Sequence, residues 1–286
     1  MSDALLRFIF DSTDIRGEWV QLEQSYRDAL AYHHYPPAVR RLTGEFLAAV
    51  SLLGATLKFE GSVILQARSD GEIPLIMAEA TSKQELRAIV HGAEHATSDD
   101  FQSLLGAGTL SITIDPVGGQ RYQGIVPLDG DNLASCLESY FLQSEQLPTR
   151  IWLAADTTRA GGLFLQELPS RGDAEQRAQQ WQHLNALAST VKDDELLELP
   201  GETLLHRLFH QEQMRLIQRD NLQFRCSCSR DRTENMLINL GREELELILV
   251  EQGAIKVNCE FCNQLYEFAP ADIDALFAPA DAPLKH

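Results

Sequence analysis

Short apolar runs alternating with polar positions dominate the first 170 residues, and longer helical periods take over only afterwards. Leu5-Leu6-Arg7-Phe8-Ile9-Phe10 and Gly17-Glu18-Trp19-Val20-Gln21-Leu22 predict two strands joined by a turn. Pro36-Pro37 then marks a helix start, and Val39, Leu42, Phe46, Ala49, Val50 and Leu53 recur at helical spacing until Gly54, which predicts a largely buried helix. Thr56 to Phe59, Val63 to Ala67 and Pro74 to Ala80 read as a meander, broken by Glu60-Gly61 and Ser69-Asp70-Gly71. Ser82 with Glu85 three residues on predicts a capping box and a helix through Val90. Thr109 to Ile114 and Arg121 to Pro127 flank the turn Pro116-Val117-Gly118-Gly119 as two strands. Asp131 is placed to cap a helix with the apolar face Leu133, Cys136, Leu137, Tyr140 and Phe141, and strands Ile151 to Ala155 and Leu163 to Leu168 straddle Gly161-Gly162. Hairpin spacings of this kind favour an α+β domain over a parallel doubly wound sheet.

After Pro169-Ser170-Arg171-Gly172 the pattern changes. Asp173 to Thr190, Asp193 to Leu199 and Glu202 to Gln211 read as successive helices whose apolar positions, Trp181, Leu184, Leu187, Leu204, Leu205, Leu208 and Phe209, need a surface to cover them. Strand-like runs at Arg215 to Gln218 and Leu222 to Phe224 follow. Ser229 can cap a helix to Leu240, Arg242 to Glu251 makes another, Ala254 to Asn258 and Gln264 to Phe268 pair as a hairpin, and Pro270 opens a last helix. The expected organisation is a mixed N-terminal sheet-and-helix domain over 1–170, a helical linker over 171–223 with a strand-like end, and a small C-terminal module over 224–286. So small a module is marginal without a staple.

Composition narrows the function. Asp+Glu number 42 against Lys+Arg 24, a formal charge of −18, which disfavours a sequence-independent grip on nucleic acid and attraction to an anionic membrane. No run of about 18 apolar residues is present, and Met1-Ser2-Asp3-Ala4 lacks the basic start of a signal peptide, so a cytoplasmic protein is expected. In a reducing compartment, paired cysteines are metal ligands or redox-active thiols more often than permanent disulfides.

Four of the five cysteines form two tight pairs, Cys226-Ser227-Cys228 and Cys259-Glu260-Phe261-Cys262, with thirty residues between them. Two short loops supplying two thiolates each match a tetrahedral Zn²⁺ site, one ion per chain, and four protein ligands leave no open position for water or substrate. The zinc is therefore expected to be structural or regulatory, with no catalytic residue. The one-residue spacer of the first pair is unusually tight. Zinc-held thiolates are nucleophiles that hypochlorous acid or peroxide can oxidise, and because metal binding is folding free energy in so small a module, oxidation would unfold it.

C-S-C-S-R-D-R from Cys226, C-E-F-C from Cys259, L-P-G-E-T-L-L-H-R-L-F-H from Leu199 and R-Y-Q-G-I-V-P-L from Arg121 resemble the bacterial redox-regulated holdase chaperone family, the thirty-three-kilodalton heat-shock protein. The resemblance spans essentially the whole chain. It implies a reduced, zinc-bound, inactive monomer that on oxidation forms the disulfides Cys226–Cys228 and Cys259–Cys262, releases zinc, unfolds linker and module, dimerises, and holds unfolding or oxidatively damaged client proteins without ATP. No Gly-rich phosphate loop is present, in keeping with that expectation. The runner-up is a constitutive zinc-ribbon adaptor that uses its metal module as a fixed binding surface.

Other motifs have blander explanations. His91-Gly92-Ala93-Glu94-His95 matches the H-x-x-E-H pattern of zinc peptidases but has no marked third ligand. Cys136 falls on an apolar helix face. His33-His34 reads as a solvated loop, His206 and His210 as exposed or packing residues of a linker helix, and Asp193-Asp194-Glu195 as an acidic helix start.

Overall fold

Helix α2 (Pro37–Ala55) is the element on which two β-sheets close. Pro37 occupies its first turn, where the missing N–H costs nothing, and the apolar side chains Val39, Leu42, Phe46, Leu47, Val50 and Leu52 are all buried. In this computed structural model the structure describes residues 3–11, 13–58, 60–169 and 173–277. Phe59 and the Ser170-Arg171-Gly172 boundary lie outside them.

The first sheet has the order β10-β1-β2-β9-β8, built from β1 (Ala4–Phe10), β2 (Ile15–Leu22), β8 (Thr149–Ala155), β9 (Ala160–Glu167) and β10 (Met214–Asn221), and every neighbouring pair is antiparallel. The second has the order β11-β5-β4-β3-β6-β7. It comprises β3 (Gly61–Ser69), β4 (Leu75–Thr81), β5 (Glu85–His91), β6 (Gly108–Pro116), β7 (Tyr122–Pro127) and the two-residue β11 (Gln223–Phe224), which adds in parallel beside β5. Helices α1 (Gln24–Leu30), α3 (Phe101–Leu105) and α4 (Leu133–Tyr140) complete this layer. The α+β class and the helix after Pro36 are as expected.

Alternation decides which side chains meet α2. In β1, Leu5 enters the core shared with α2, whereas Leu6, Phe8 and Phe10 point to the opposite face of the sheet. That opposite face is covered by the linker. Helices α5 (Ala174–Ala188), α6 (Asp193–Glu198) and α7 (Gly201–Phe209) place Leu184, Leu196, Leu204, Leu205, Leu208 and Phe209 against Leu6, Phe8, Phe10 and Trp19. Phe209 packs edge-on to Phe10, ring centroids 5.0 Å apart.

Four expectations change. Residues 85–90 are a strand rather than a helix: Leu86, Ala88 and Val90 alternate inward, and the turn before them is organised by Thr81, whose hydroxyl accepts from the N–H groups of Lys83 and Glu85, with Gln84 at φ +58°. Gly161 and Gly162 lie within β9; the turn is made by Asp156, which accepts from the N–H groups of Thr158 and Arg159. A Cβ on Gly161 would sit 2.6 Å from the Leu196 carbonyl oxygen, so glycine is there to let α6 approach. The cap of α4 is Asn132, one residue later than Asp131, in a reciprocal box with Ser135. Residues 56–58 form no strand: Thr56 ends α2.

The chain divides into two compact units, 1–225 and 226–286. The second unit contains α8 (Arg230–Leu240), α9 (Arg242–Gln252), the antiparallel hairpin β12 (Ile255–Asn258) and β13 (Leu265–Phe268), and α10 (Pro270–Leu276). Its buried core is Leu237, Leu245, Ile255, Phe268 and Ile273.

Two carboxylates, the buried Glu18 and the half-buried Glu45, shape the pH response of the first unit. Burial pushes Glu18 up to about 7 against the opposing pull of Arg16 and Arg7, and burial with the nearby Asp193 charge pushes Glu45 up to about 7. A raised carboxyl pKa makes the folded state bind more protons, so this stability is complete below about pH 4.5 and lost as pH rises through 7. Across that window Glu18 alone accounts for a stability change of up to about 3 kcal/mol. Urea midpoints read by tryptophan fluorescence should fall between pH 5 and 8, and Glu18→Gln should remove about half of that fall; an unchanged slope would contradict the assignment.

Candidate metal centre

The cysteine loops are shaped by their neighbours in sequence. Ser229 is extended at φ −151° and its hydroxyl accepts from the Arg232 N–H at 3.2 Å, which starts α8 directly after Cys228. Arg232 turns back and donates to the Ser227 hydroxyl at 2.7 Å, bracing the single residue between Cys226 and Cys228. Arg230 lies 4.3 Å over the Phe268 ring and donates to the Glu267 carbonyl, pinning the start of α8 to β13. The serines and arginines of the C-S-C-S-R-D-R run thus have separate tasks.

The second pair sits on the loop of the β12–β13 hairpin. The Cys259 N–H donates to the Gln264 carbonyl at 2.9 Å and the Asn263 N–H to the Cys259 carbonyl at 2.8 Å. The reversal needs a left-handed residue, supplied by Asn263 at φ +54°, a conformation asparagine tolerates.

These two loops bring Cys226, Cys228, Cys259 and Cys262 together, all half-buried, with their four Sγ atoms within 4.8 Å of one another. Cys226 Sγ is 3.5 Å from Cys259 Sγ, and Cys228 Sγ is 3.5 Å from Cys262 Sγ. Thiolates bonded tetrahedrally to zinc at about 2.3 Å stand about 3.8 Å apart, so the donor set and its spacing fit Zn²⁺. Burial pushes the Cys226 and Cys262 thiols up. At Cys228 burial acts the same way, but donation from the Tyr266 hydroxyl at 3.2 Å and from the neighbouring thiols outweighs it and brings that thiol below its ordinary value. Tyr266 was not singled out from sequence. Its signal is the alternation of Leu265-Tyr266-Glu267-Phe268, which puts Tyr266 and the buried Phe268 on one face of β13.

A family model described as Hsp33 protein matches residues 3–269. The chain belongs to the Hsp33 family. It is 53% identical over 285 residues to a 33 kDa chaperonin of Ectopseudomonas mendocina, covering 98% of this chain and 97% of that protein. A 33 kDa chaperonin of Pseudomonas aeruginosa is 52% identical over 284 residues, covering 98% and 96%, and one of Azotobacter vinelandii 52% identical over 281 residues, covering 96% and 95%. Among solved structures, the 33 kDa chaperonin of Thermotoga maritima shares the fold with a TM-score of 0.83 at 22% identity, covering 96% of this chain and 97% of that one. Membership in the Hsp33 family makes a chaperone role the framework for the site.

The remaining sequence candidates do not converge. His91 ends β5, Gly92 follows at φ +75°, and His95 closes a short 3-10 turn with its side chain 81% exposed, so the two histidines share no helix face. His206 and His210 are exposed on α7 and beyond it, with ring centroids 5.9 Å apart. His33 is half-buried and stacks on Tyr35 at 4.9 Å. Cys136 is buried in the core and Asp193 to Glu195 form the first turn of α6. Among the described residues, no other group of three or more His, Cys, Asp or Glu side chains comes within metal-binding reach.

Cys259→Ser should lower zinc affinity on the order of 100-fold, measured by competition with a chromophoric chelator, and Tyr266→Phe on the order of tenfold. Unchanged affinity in Cys259→Ser would exclude that residue as a ligand.

Proposed function

We propose that this chain is a redox-regulated, ATP-independent holdase, zinc-bound and inactive when reduced and activated by oxidation of its four paired cysteines. The observation that carries this reading is the junction at Arg225. Its N–H donates to the Leu86 carbonyl at 3.0 Å, extending the β11 pairing of the linker, and the next residue is Cys226. A change in the thiols therefore acts on the end of a segment that covers Leu6, Phe8, Phe10 and Trp19.

In the reduced state Cys226, Cys228, Cys259 and Cys262 would hold one Zn²⁺. Zinc, when bound, keeps four thiolates deprotonated and ties the two cysteine loops together. Peroxide attacked by one thiolate gives a sulfenic acid and hydroxide; the second thiolate of the same pair displaces a second hydroxide and forms the disulfide. Each pair gives up two electrons to one peroxide, which is reduced. With Cys226–Cys228 and Cys259–Cys262 as the products, each bond closes within its own loop, no thiolate donor remains for the metal, and nothing covalent links the loops. The module then has only its small core, and the linker can leave the sheet face it covers. That apolar face suits unfolding or oxidatively damaged clients, and self-association into a homodimer would bury part of it. A net charge of −18 favours solubility of the opened protein and disfavours nucleic acid and anionic membranes as partners. No described helix is long and apolar enough to cross a membrane, and we assign the protein to the cytoplasm, where reduced thiols are the resting state.

The test is a titration of zinc-loaded protein with hypochlorous acid, following zinc release, sedimentation and suppression of aggregation of a heat-denatured client. Zinc release, dimer formation and suppression should rise together. If reduced and oxidised protein suppress aggregation equally, the switch fails and a fixed zinc-ribbon adaptor is the better description. Gly161→Ala should shift activation to lower oxidant concentration, because its Cβ would push the α6 backbone away from β9.

A further inference from the structure

Helix α2 fills the space between the two sheets only as far as Ala55. Beyond its end the sheets remain apart, and a cavity of about 290 Å³ opens between them. Its size is at the lower edge of the roughly 300–1,000 Å³ typical of ligand sites. Apolar side chains of the second sheet, Val63, Ile112 and Ile114, and Phe141 of the segment after α4 form much of its wall, and the first sheet contributes Arg16 and Gln166.

Two cations also line it, Arg16 and Lys58. Arg16 is held in place: its Nη2 donates to Gln166 Oε1 at 2.8 Å, and Gln166, itself 1% exposed, donates onward to the Thr149 hydroxyl at 3.0 Å. The Arg16 side chain nevertheless keeps 23% of its surface accessible, and its Nε, buried 3.9 Å from Glu18, has no hydrogen-bond partner. Lys58 is exposed at the rim. The lining acid is Glu145, which accepts from the Tyr140 hydroxyl at 3.1 Å. The cavity thus joins apolar walls to an excess of positive charge, in a protein that is otherwise strongly acidic.

We propose that this cavity binds a small amphipathic carboxylate, such as a medium-chain fatty acid, with its tail between the sheets and its carboxylate at Arg16 and Lys58. At roughly 30 Å³ per non-hydrogen group the space holds about ten, which matches an alkyl chain of that length. Bound there, the tail bridges β3 and β6 to the end of α2. The ligand stabilises the reduced first unit without involving the cysteines.

Decanoate is the probe, titrated calorimetrically into the reduced, zinc-loaded full chain, with decanol and decyltrimethylammonium as uncharged and cationic controls. The expected result is one saturable site with a Kd below 1 mM for decanoate, weaker binding of decanol, none of decyltrimethylammonium, and a rise in the melting temperature of the tryptophan-bearing unit. Lys58→Glu, an exposed change that leaves the fold intact, should weaken decanoate about tenfold. Ile114→Trp, which fills the cavity, should abolish binding. Absence of saturation, equal affinity for decanoate and decanol, or heats that survive both substitutions would overturn the proposal.

Discussion

Four sulfur atoms within 4.8 Å of one another are the constraint on which the C-terminal unit depends. As thiolates they repel, and as thiols they bond too weakly to fix two loops. The five buried apolar side chains among the described residues of this unit make a core too small to impose that geometry unaided. A divalent cation held there would replace the mutual repulsion of the thiolates with four bonds, and a fold fastened in that way would be sensitive to any reaction that removes thiolates. The serine and arginine contacts around the first pair and the asparagine reversal after the second serve that one geometry.

Within the first unit, the linker is held to the two-sheet body in two different ways. Its helices dock by burial: Leu204, Leu205, Leu208 and Phe209 are almost fully sequestered against the outer face of the first sheet. Its strand docks by backbone pairing. Along β10 most side chains remain exposed, including Leu216 and Ile217, and the strand is held by its ladder to β1 with the ion pairs Arg7–Asp220 and Arg215–Asp11. The exposed Arg215–Asp11 pair contributes little, the Arg7–Asp220 pair is only partly buried, and an edge strand with few buried side chains opens at low cost. The part of the linker nearest the cysteines is therefore also the part most easily peeled away.

Much of this was legible in the chain. The cysteine pairs, the Ser229 cap, the hairpin between them and Pro270 are local signals, and local signals decide so small a unit. The helix of residues 37–55 was equally plain, because Val39, Leu42, Phe46, Ala49, Val50 and Leu53 recur at helical spacing after Pro36-Pro37. What failed depended on distant partners. Gly161-Gly162 reads as a turn until Leu196 is seen against it, and Ser82 with Glu85 imitates a cap because the competing cap, Thr81, lies one residue outside the pattern. Helices α1 and α3, of 7 and 5 residues, are too short to show a period. The docking of β10 on β1 joins the ends of the first unit, and no local pattern specifies it. At the metal site, Tyr266 was missed because its role appears only once β13 folds back onto the first cysteine pair.

The central claim is that thiol oxidation loosens the linker while leaving the two-sheet core folded. Backbone hydrogen exchange of the zinc-loaded and fully oxidised protein tests it most directly. The account predicts that amides of β10 and α7 lose protection on oxidation while those of β3, β4 and β6 keep it. Retained protection across β10 and α7 with all four thiols oxidised and zinc gone would contradict it.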